Sequence, residues 1–514
     1  MSDIPAPSGT APKLSAASTD VIAPSVLRKA AQRIAPVDFR FEADSRPVSP
    51  IVFNGTVRTI EFLLVGLIGY AVFMAYVENI DVGLQIMYLV ATVAAAAATT
   101  LIFQTFDLYN LSAYTGFARQ FMRLAVAWTI VFAGLIAIAF FVKIGAQFSR
   151  VWLVSWYLFG AATLFVFRLS VSTVVRHLAH EGRLDRRAVV VGGGPAGEAL
   201  IKALEASRDT DIRICGVFDD RSDDRVSPVC AGYPKLGNVD ELVAFGRQTR
   251  IDLLIMSLPL TAENRLLQVL QKLWVLPVDI RLSAYTNKLR FRPRAYSYIG
   301  NVPFIDIFDK PIADWDHVAK WLFDKAVASL AILATLPVMA LVAIAIKLDS
   351  RGPVLFKQKR YGFNNELIEV YKFRSMYVDQ ADQAAAKLVT KDDPRVTRVG
   401  RFIRKTSLDE LPQLFNVLTG GLSLVGPRPH AMQAKAANAL YDEVVDGYFA
   451  RHRVKPGITG WAQINGWRGE TDTQEKIQRR VEHDLYYIEN WSVLLDLYIV
   501  LMTPFALLKT ENAY

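Results

Sequence analysis

Apolar and polar positions are unevenly distributed along the chain. The first stretch, residues 1–55, is rich in Pro, Ser and Ala and holds no apolar run long enough for a signal peptide, so it reads as a disordered cytoplasmic tail. Four apolar runs follow, at Val57–Val77, Ile86–Phe103, Phe121–Val142 and Val151–Val171. Each is close to the roughly 20 residues that a spanning helix needs, and together they predict a four-helix transmembrane bundle over residues 56–175. Arg58, Arg119, Arg123, Arg168, Arg176, Arg183, Arg186 and Arg187 gather on one side of these runs, whereas Glu78 and Asp81 lie on the other. The positive-inside rule then places both ends of the bundle in the cytoplasm.

From about Arg187 the pattern changes to short apolar strands alternating with amphipathic helices. AVVVGGGPAGEAL, RICGVFDD, IDLLIMSLP and VLPVDIRL predict a Rossmann-like, doubly wound α/β domain over residues 186–285. Gly192, Gly194 and Gly197 fit G-x-G-x-x-G, with Asp219 and Asp220 placed where a ribose-binding acid would sit. Two readings stay open: a weak cofactor-binding turn for a nucleotide, and a tight turn that only packs a strand against a helix.

A fifth apolar run, Ala326–Ser350, carries Pro337 near its middle. Hydropathy alone favours a plain spanning helix. The basic strings downstream, KQKR at 357–360 and RFIRK at 401–405, argue that both ends stay in the cytoplasm. The expectation is therefore a re-entrant membrane hairpin over about residues 318–348, broken at Pro337.

Composition agrees with a membrane protein that carries polar domains. The 514 residues include 52% hydrophobic ones, with 58 Lys+Arg against 49 Asp+Glu for a net charge of +9, and mean hydropathy is +0.24. Two cysteines, Cys215 and Cys230, exclude a disulfide scaffold or thiolate metal cluster, and the six histidines show no HExxH spacing. No arginine-rich run or aromatic-interleaved basic stripe suggests nucleic acid as a partner.

The most specific strings lie near the C-terminus: GPVLFKQKRYG, YKFRSM, RKTSLDELPQLFNVLTGGLSLVGPRPH and RHRVKPGITGWAQINGWRG. Ser407 and Glu410 have capping-box spacing, which predicts a helix starting at Ser407. Such a start would set Asp409 and Glu410 beside free N–H groups able to meet a phosphate. Arg404 precedes the pair, and Arg428 lies between two prolines, so rigid guanidinium forks suited to phosphate oxygens are close in sequence. The last apolar stretch, WSVLLDLYIVLMTPFALLK, reads either as an interfacial helix or as a core helix.

KFRSM, SLDELPQ and GPRP, following a proline-containing hydrophobic segment, resemble the bacterial polyprenyl-phosphate hexose-1-phosphate transferases of the monotopic phosphoglycosyl transferase superfamily. The likeness covers residues 315–514 and implies an α+β catalytic domain there. It implies that Asp409 is the nucleophile, attacking the β-phosphate of a UDP-hexose to give an aspartyl phosphosugar and UMP, and that undecaprenyl phosphate then takes the sugar phosphate. Glu410 is implicated with Mg²⁺ and proton handling, so Asp409 and Glu410 are the expected metal ligands. Arg404, Arg428, Lys372 and Arg374 are the expected phosphate-binding residues, and Pro337 corresponds to the break in the membrane hairpin. Glucose is the expected sugar, with galactose as the alternative. The expected setting is the bacterial inner membrane with the catalytic domain on the cytoplasmic face, where the product would start an exopolysaccharide or capsule repeat unit for downstream glycosyltransferases. Small-residue faces in the spans would suit a homodimer. A membrane-bound nucleotide-sugar dehydratase or epimerase is a weaker reading, because Tyr441, Tyr486 and Tyr487 are not followed by lysine four positions on. A nucleotide-sensing scaffold is the non-enzymatic alternative.

Overall fold

Ser49 starts the first helix: its hydroxyl accepts the Val52 N–H at 3.3 Å, and Pro50, which has no N–H to lose, takes the first helical position. The computed structural model describes residues 48–77, 81–115, 117–207, 211–221, 229–259, 261–284, 297–378, 393–429, 435–436, 439–440, 448–467 and 473–508. The expected N-terminal tail therefore lies almost wholly outside the described residues. Helices α1 (Pro50–Tyr76), α2 (Val82–Thr105), α3 (Phe117–Phe141) and α4 (Arg150–His180) share one core that includes Val65, Ala96, Phe103, Trp128, Trp156 and Leu164. Indoles dock on glycines here. A Cβ at Gly69 would approach Trp156 to 2.5 Å, and the Trp156 N–H donates to the Val65 carbonyl at 3.1 Å. Large apolar side chains such as Leu67, Ile86, Phe140 and Leu158 stay exposed on the outer faces, as lipid-facing positions do. Counting a later helix, five among the described residues are long and apolar enough to cross a membrane.

Helix α4 continues past the expected end at Val171 as far as His180. Polar residues end the hydropathy signal there without ending the helix, because Arg168 is buried against Glu61 at 2.5 Å and donates to the Leu108 carbonyl at 2.7 Å.

Strands β1 (Arg186–Val191), β2 (Ile212–Phe218), β3 (Val229–Cys230), β4 (Tyr233–Gly237), β5 (Leu253–Met256), β6 (Asp279–Ser283), β7 (Ser297–Ile299) and β8 (Val302–Phe308) form one sheet. Their order is β3-β4-β2-β1-β5-β6-β8-β7. The five central strands are parallel, and β3 and the β7–β8 pair add antiparallel edges. The sheet thus runs to Phe308, beyond the expected boundary at 285, because β8 pairs back onto β6 and β7 pairs onto β8. The chain order reverses between β1 and β5, so the glycine turn after β1 sits at the topological switch point.

One helix, α5 (Asp314–Asp349), contains Pro337 in its interior. The expected pair of helices broken at the proline is instead a single hydrogen-bonded element, since proline removes only its own N–H from the ladder. Both ends bind the domain that follows. Near the start, Lys320 Nζ donates to the Val425 carbonyl at 3.0 Å and to Asp496 at 2.6 Å, while Asp324 accepts the Leu424 N–H at 3.2 Å. At the far end, Asp349 accepts the Val399 N–H at 3.2 Å. Between these anchors Leu330, Leu333, Leu336, Leu341 and Ile344 are exposed. The final helix, α6 (Val493–Leu508), puts Ile499 into the core and leaves Leu494, Leu501 and Phe505 exposed.

Candidate active site

Two strands lay the floor of the site. Leu355–Tyr361 (β9) and Leu367–Phe373 (β10) pair antiparallel with Phe356 opposite Lys372, Gln358 opposite Val370 and Arg360 opposite Ile368. Alternation puts these six side chains on one face. Asn416 fixes the next layer onto β10, accepting the Tyr371 N–H at 2.8 Å and donating to the Glu369 carbonyl at 2.7 Å.

The acidic pair sits on that layer in a conformation that differs from the expected cap. Ser407 is left-handed, with φ 58° and ψ 17°, and its side chain makes no capping bond. Leu408–Glu410 form one 3₁₀ turn, and the α-helix begins only at Gln413, with Pro412 as its N-cap. A helix starting at Ser407 would have put Pro412 where an N–H must bond back to Leu408, so the proline delays the start. Glu410 is thereby released from capping and turned inward. Its Oε1 accepts Lys372 Nζ at 2.9 Å and also Arg428 Nη2, and its Oε2 accepts Arg428 Nη1 at 3.2 Å. No hydrogen bond or ion pair among the described residues engages the Asp409 carboxylate.

Arg428 is aimed by close backbone packing. Gly426 donates to the Thr459 carbonyl at 2.9 Å, Gly457 donates to the Pro427 carbonyl at 3.0 Å, and a Cβ on Gly457 would stand 2.1 Å from the Gly426 nitrogen. Arg451 braces the turn from behind, donating to the Arg428 carbonyl at 2.9 Å while pairing with Asp484 at 2.6 Å.

Charge is unevenly shared across this layer. Burial raises the Asp409 carboxyl above its ordinary value, against the pull of Lys372, and the neighbouring Glu410 charge adds to the rise. Burial acts upward on Glu410 too, but Arg428 and Lys372 outweigh it and hold that carboxyl well below the usual range. Adjacent carboxylates are therefore pushed apart, one poised and one firmly ionised. Arg360 and Arg480 also reach the layer. Burial first, then Arg428 in one case and Arg451 in the other, push these guanidinium groups down to about 10. Neither residue was singled out in the sequence, where Arg360 is only part of a basic string and Arg480 is one charge on a polar helix.

Residues 315–510 match the profile of the bacterial sugar transferase family, and residues 104–284 match that of a CoA-binding domain. The UDP-glucose:undecaprenyl-phosphate glucose-1-phosphate transferase of Escherichia coli (strain K12) is 37% identical over 439 residues, 84% of this chain and 91% of that one. The enzyme of the same name from Xanthomonas campestris pv. campestris is 36% identical over 427 residues, 82% and 87% of the two chains. The undecaprenyl-phosphate glucose phosphotransferase of Komagataeibacter xylinus is 41% identical over 362 residues, 70% and 66%. The chain belongs to the polyprenyl-phosphate hexose-1-phosphate transferases.

For such a transferase, the structure brings Asp409, Glu410, Lys372 and Arg428 into one cluster, with Arg404 within electrostatic reach of Asp409. Arg374 lies elsewhere: it donates to the Ser350 carbonyl at 2.8 Å and to that of Arg351, closing the C-terminal end of α5. Gly192, Gly194 and Gly197 are in the other domain, where a Cβ on Gly197 would meet the Gly192 carbonyl at 2.2 Å. Among the described residues no group of three or more His, Cys, Asp or Glu could cage a metal. Magnesium, which is commonly held by one or two carboxylates plus substrate phosphates and waters, fits Asp409, whose oxygens are unengaged. Glu410 would have to give up Lys372 or Arg428 to join it.

Proposed function

We propose that the enzyme transfers glucose-1-phosphate from UDP-glucose to undecaprenyl phosphate through a covalent intermediate on Asp409. An Asp409 oxygen attacks the β-phosphorus, the bond from that phosphorus to the bridging oxygen breaks, and UMP leaves with the electron pair. A phosphate oxygen of undecaprenyl phosphate then attacks the same phosphorus and frees Asp409. The observation that carries this reading is the unengaged Asp409 carboxylate beside cations that outnumber the carboxylates they face. A carboxylate approaches a diphosphate only where that repulsion is neutralised, which Lys372, Arg428 and Arg404 do. Glu410 orients Lys372 and Arg428 through three hydrogen bonds. Bound Mg²⁺ would add neutralising charge on the phosphates, held by Asp409 and the substrate.

The glucose assignment leans on the relatives' names. Anchoring of both ends of α5 to one domain, with an exposed apolar middle around Pro337, supports a helix that enters and leaves one leaflet, and the basic side supports a cytoplasmic face at the bacterial inner membrane. There the product would begin an exopolysaccharide repeat unit. The deciding experiment assays UMP and UDP separately from purified protein in nanodiscs with Mg²⁺, UDP-glucose or UDP-galactose, and undecaprenyl phosphate. UMP release that vanishes in Asp409→Asn is expected. Release of UDP would overturn the mechanism, and faster turnover of UDP-galactose would overturn the sugar.

A further inference from the structure

Glu410 absorbs Lys372 and one fork of Arg428, and Asp484 is occupied by Arg451. Two guanidinium groups beside them form no ion pair among the described residues, although Glu410 and Asp409 act on Arg360, and Asp484 on Arg480, at longer range. Arg360 gives Nε and Nη2 to Gln358 Oε1 at 3.1 and 2.9 Å and Nη1 to the Pro429 carbonyl at 2.6 Å, so it is locked next to Arg428 by neutral acceptors. Arg480 lies on the helix Gln474–Glu489, one turn before Asp484, hence beside the Arg451 that holds the Arg428 carbonyl. Its Nε is sealed from solvent and has no hydrogen-bond partner among the described residues. Three guanidinium groups, Arg360, Arg428 and Arg480, lie within mutual electrostatic reach. Bringing like charges together out of water is costly unless an anion joins them.

We infer that Arg360 and Arg480 form a second phosphoryl-binding subsite beside Arg428, which holds the phosphate that is not being transferred. The inference rests on the reading of Asp409 as nucleophile, since that places the transferred phosphorus at the other side of Arg428. The ligand is a phosphate group, with rigid forks to grip it. Two substrates can supply it: the α-phosphate of the nucleotide donor, and the phosphate of the polyprenyl acceptor.

Two-substrate kinetics on the full-length protein in nanodiscs separate them, because in a ping-pong reaction kcat/KM for each substrate reports its own half. Arg480→Ala is expected to lower kcat/KM for one substrate by about ten- to a hundredfold, the range of one charge-assisted hydrogen bond, chiefly through KM, with partial recovery in Arg480→Lys. A loss confined to UDP-glucose assigns the α-phosphate, and one confined to undecaprenyl phosphate assigns the acceptor. Arg480→Gln, which keeps a polar side chain and good helix propensity, guards against a folding defect. Binding of inorganic diphosphate to the Asp409→Asn protein, with and without Arg480→Gln, tests the subsite independently of turnover. If wild-type protein releases no UMP yet diphosphate binding weakens in the Arg480 variant, the mechanism fails and the subsite stands. If UMP is released and neither kcat/KM responds to Arg480→Ala nor diphosphate affinity to Arg480→Gln, the subsite is overturned.

Discussion

Two turns in this molecule combine glycines or acids with nearby cations in a way that reads as a phosphate site, and they spend those groups differently. At the glycine turn, Asp219 accepts the Gly193 N–H at 2.6 Å and the Arg221 N–H at 2.9 Å. Asp220 accepts the Val239 N–H at 2.7 Å and pairs with Arg265. Ser257 fills the switch point, donating to the Gly192 carbonyl at 2.7 Å. The acids expected to meet a ribose are thus consumed by the fold. At the Asp409 turn one carboxylate is saturated and the other is unengaged, while Arg360 and Arg480 form no ion pair among the described residues.

The sharpest test of that contrast is Asp409→Asn. The side chain keeps its size, so the fold should hold, while UMP release should fall by at least about a thousandfold because the nucleophile is gone. Quantifying UMP by chromatography after equal thermal unfolding profiles decides it; residual activity within tenfold of wild type would break the comparison. Arg428→Ala should come next. It removes a donor from the developing phosphoryl charge and unbalances Glu410, so kcat/KM for UDP-glucose should drop by about a hundredfold, the lower range for losing one preorganised donor.

Much of this could be read from the chain. The spans were visible because a helix in lipid needs about 20 apolar residues in a row, and the acidic turn because its strings are dense. What escaped was long-range. Arg360 and Arg480 lie about 120 positions apart and converge only when β9 and the Gln474–Glu489 helix pack around Arg428. Ser407 looked like a cap because the capping-box spacing is local, yet Pro412 overrules it by withholding an N–H. Arg374 shares a string with Lys372, but it follows the last residue of β10 and turns back to the end of α5.

Acidity probes the poised carboxyl itself. Asp409 must be ionised to attack, and burial raises its pKa, so kcat/KM for UDP-glucose should fall as the pH drops through a value above the ordinary carboxylate's roughly 3.9. Lys372 opposes that rise. Replacing it, as Lys372→Met, should therefore carry the acid limb to higher pH as well as slow the reaction. A limb that stays in place in Lys372→Met would show that another group sets it.

The smallest expected effect belongs to the glycine turn, and it is informative because it is small. Asp219→Asn leaves one acceptor oxygen for two backbone N–H donors and turns an amide toward the other, which should cost about 1–3 kcal/mol of stability in the α/β domain. Turnover per folded molecule should not change, since no group of the Asp409 cluster touches Asp219. Thermal unfolding and UMP release measured on the same preparation separate the two quantities. A loss of turnover with an unshifted thermal transition would mean that the turn serves the chemistry after all, and the division of labour between the two turns would fail.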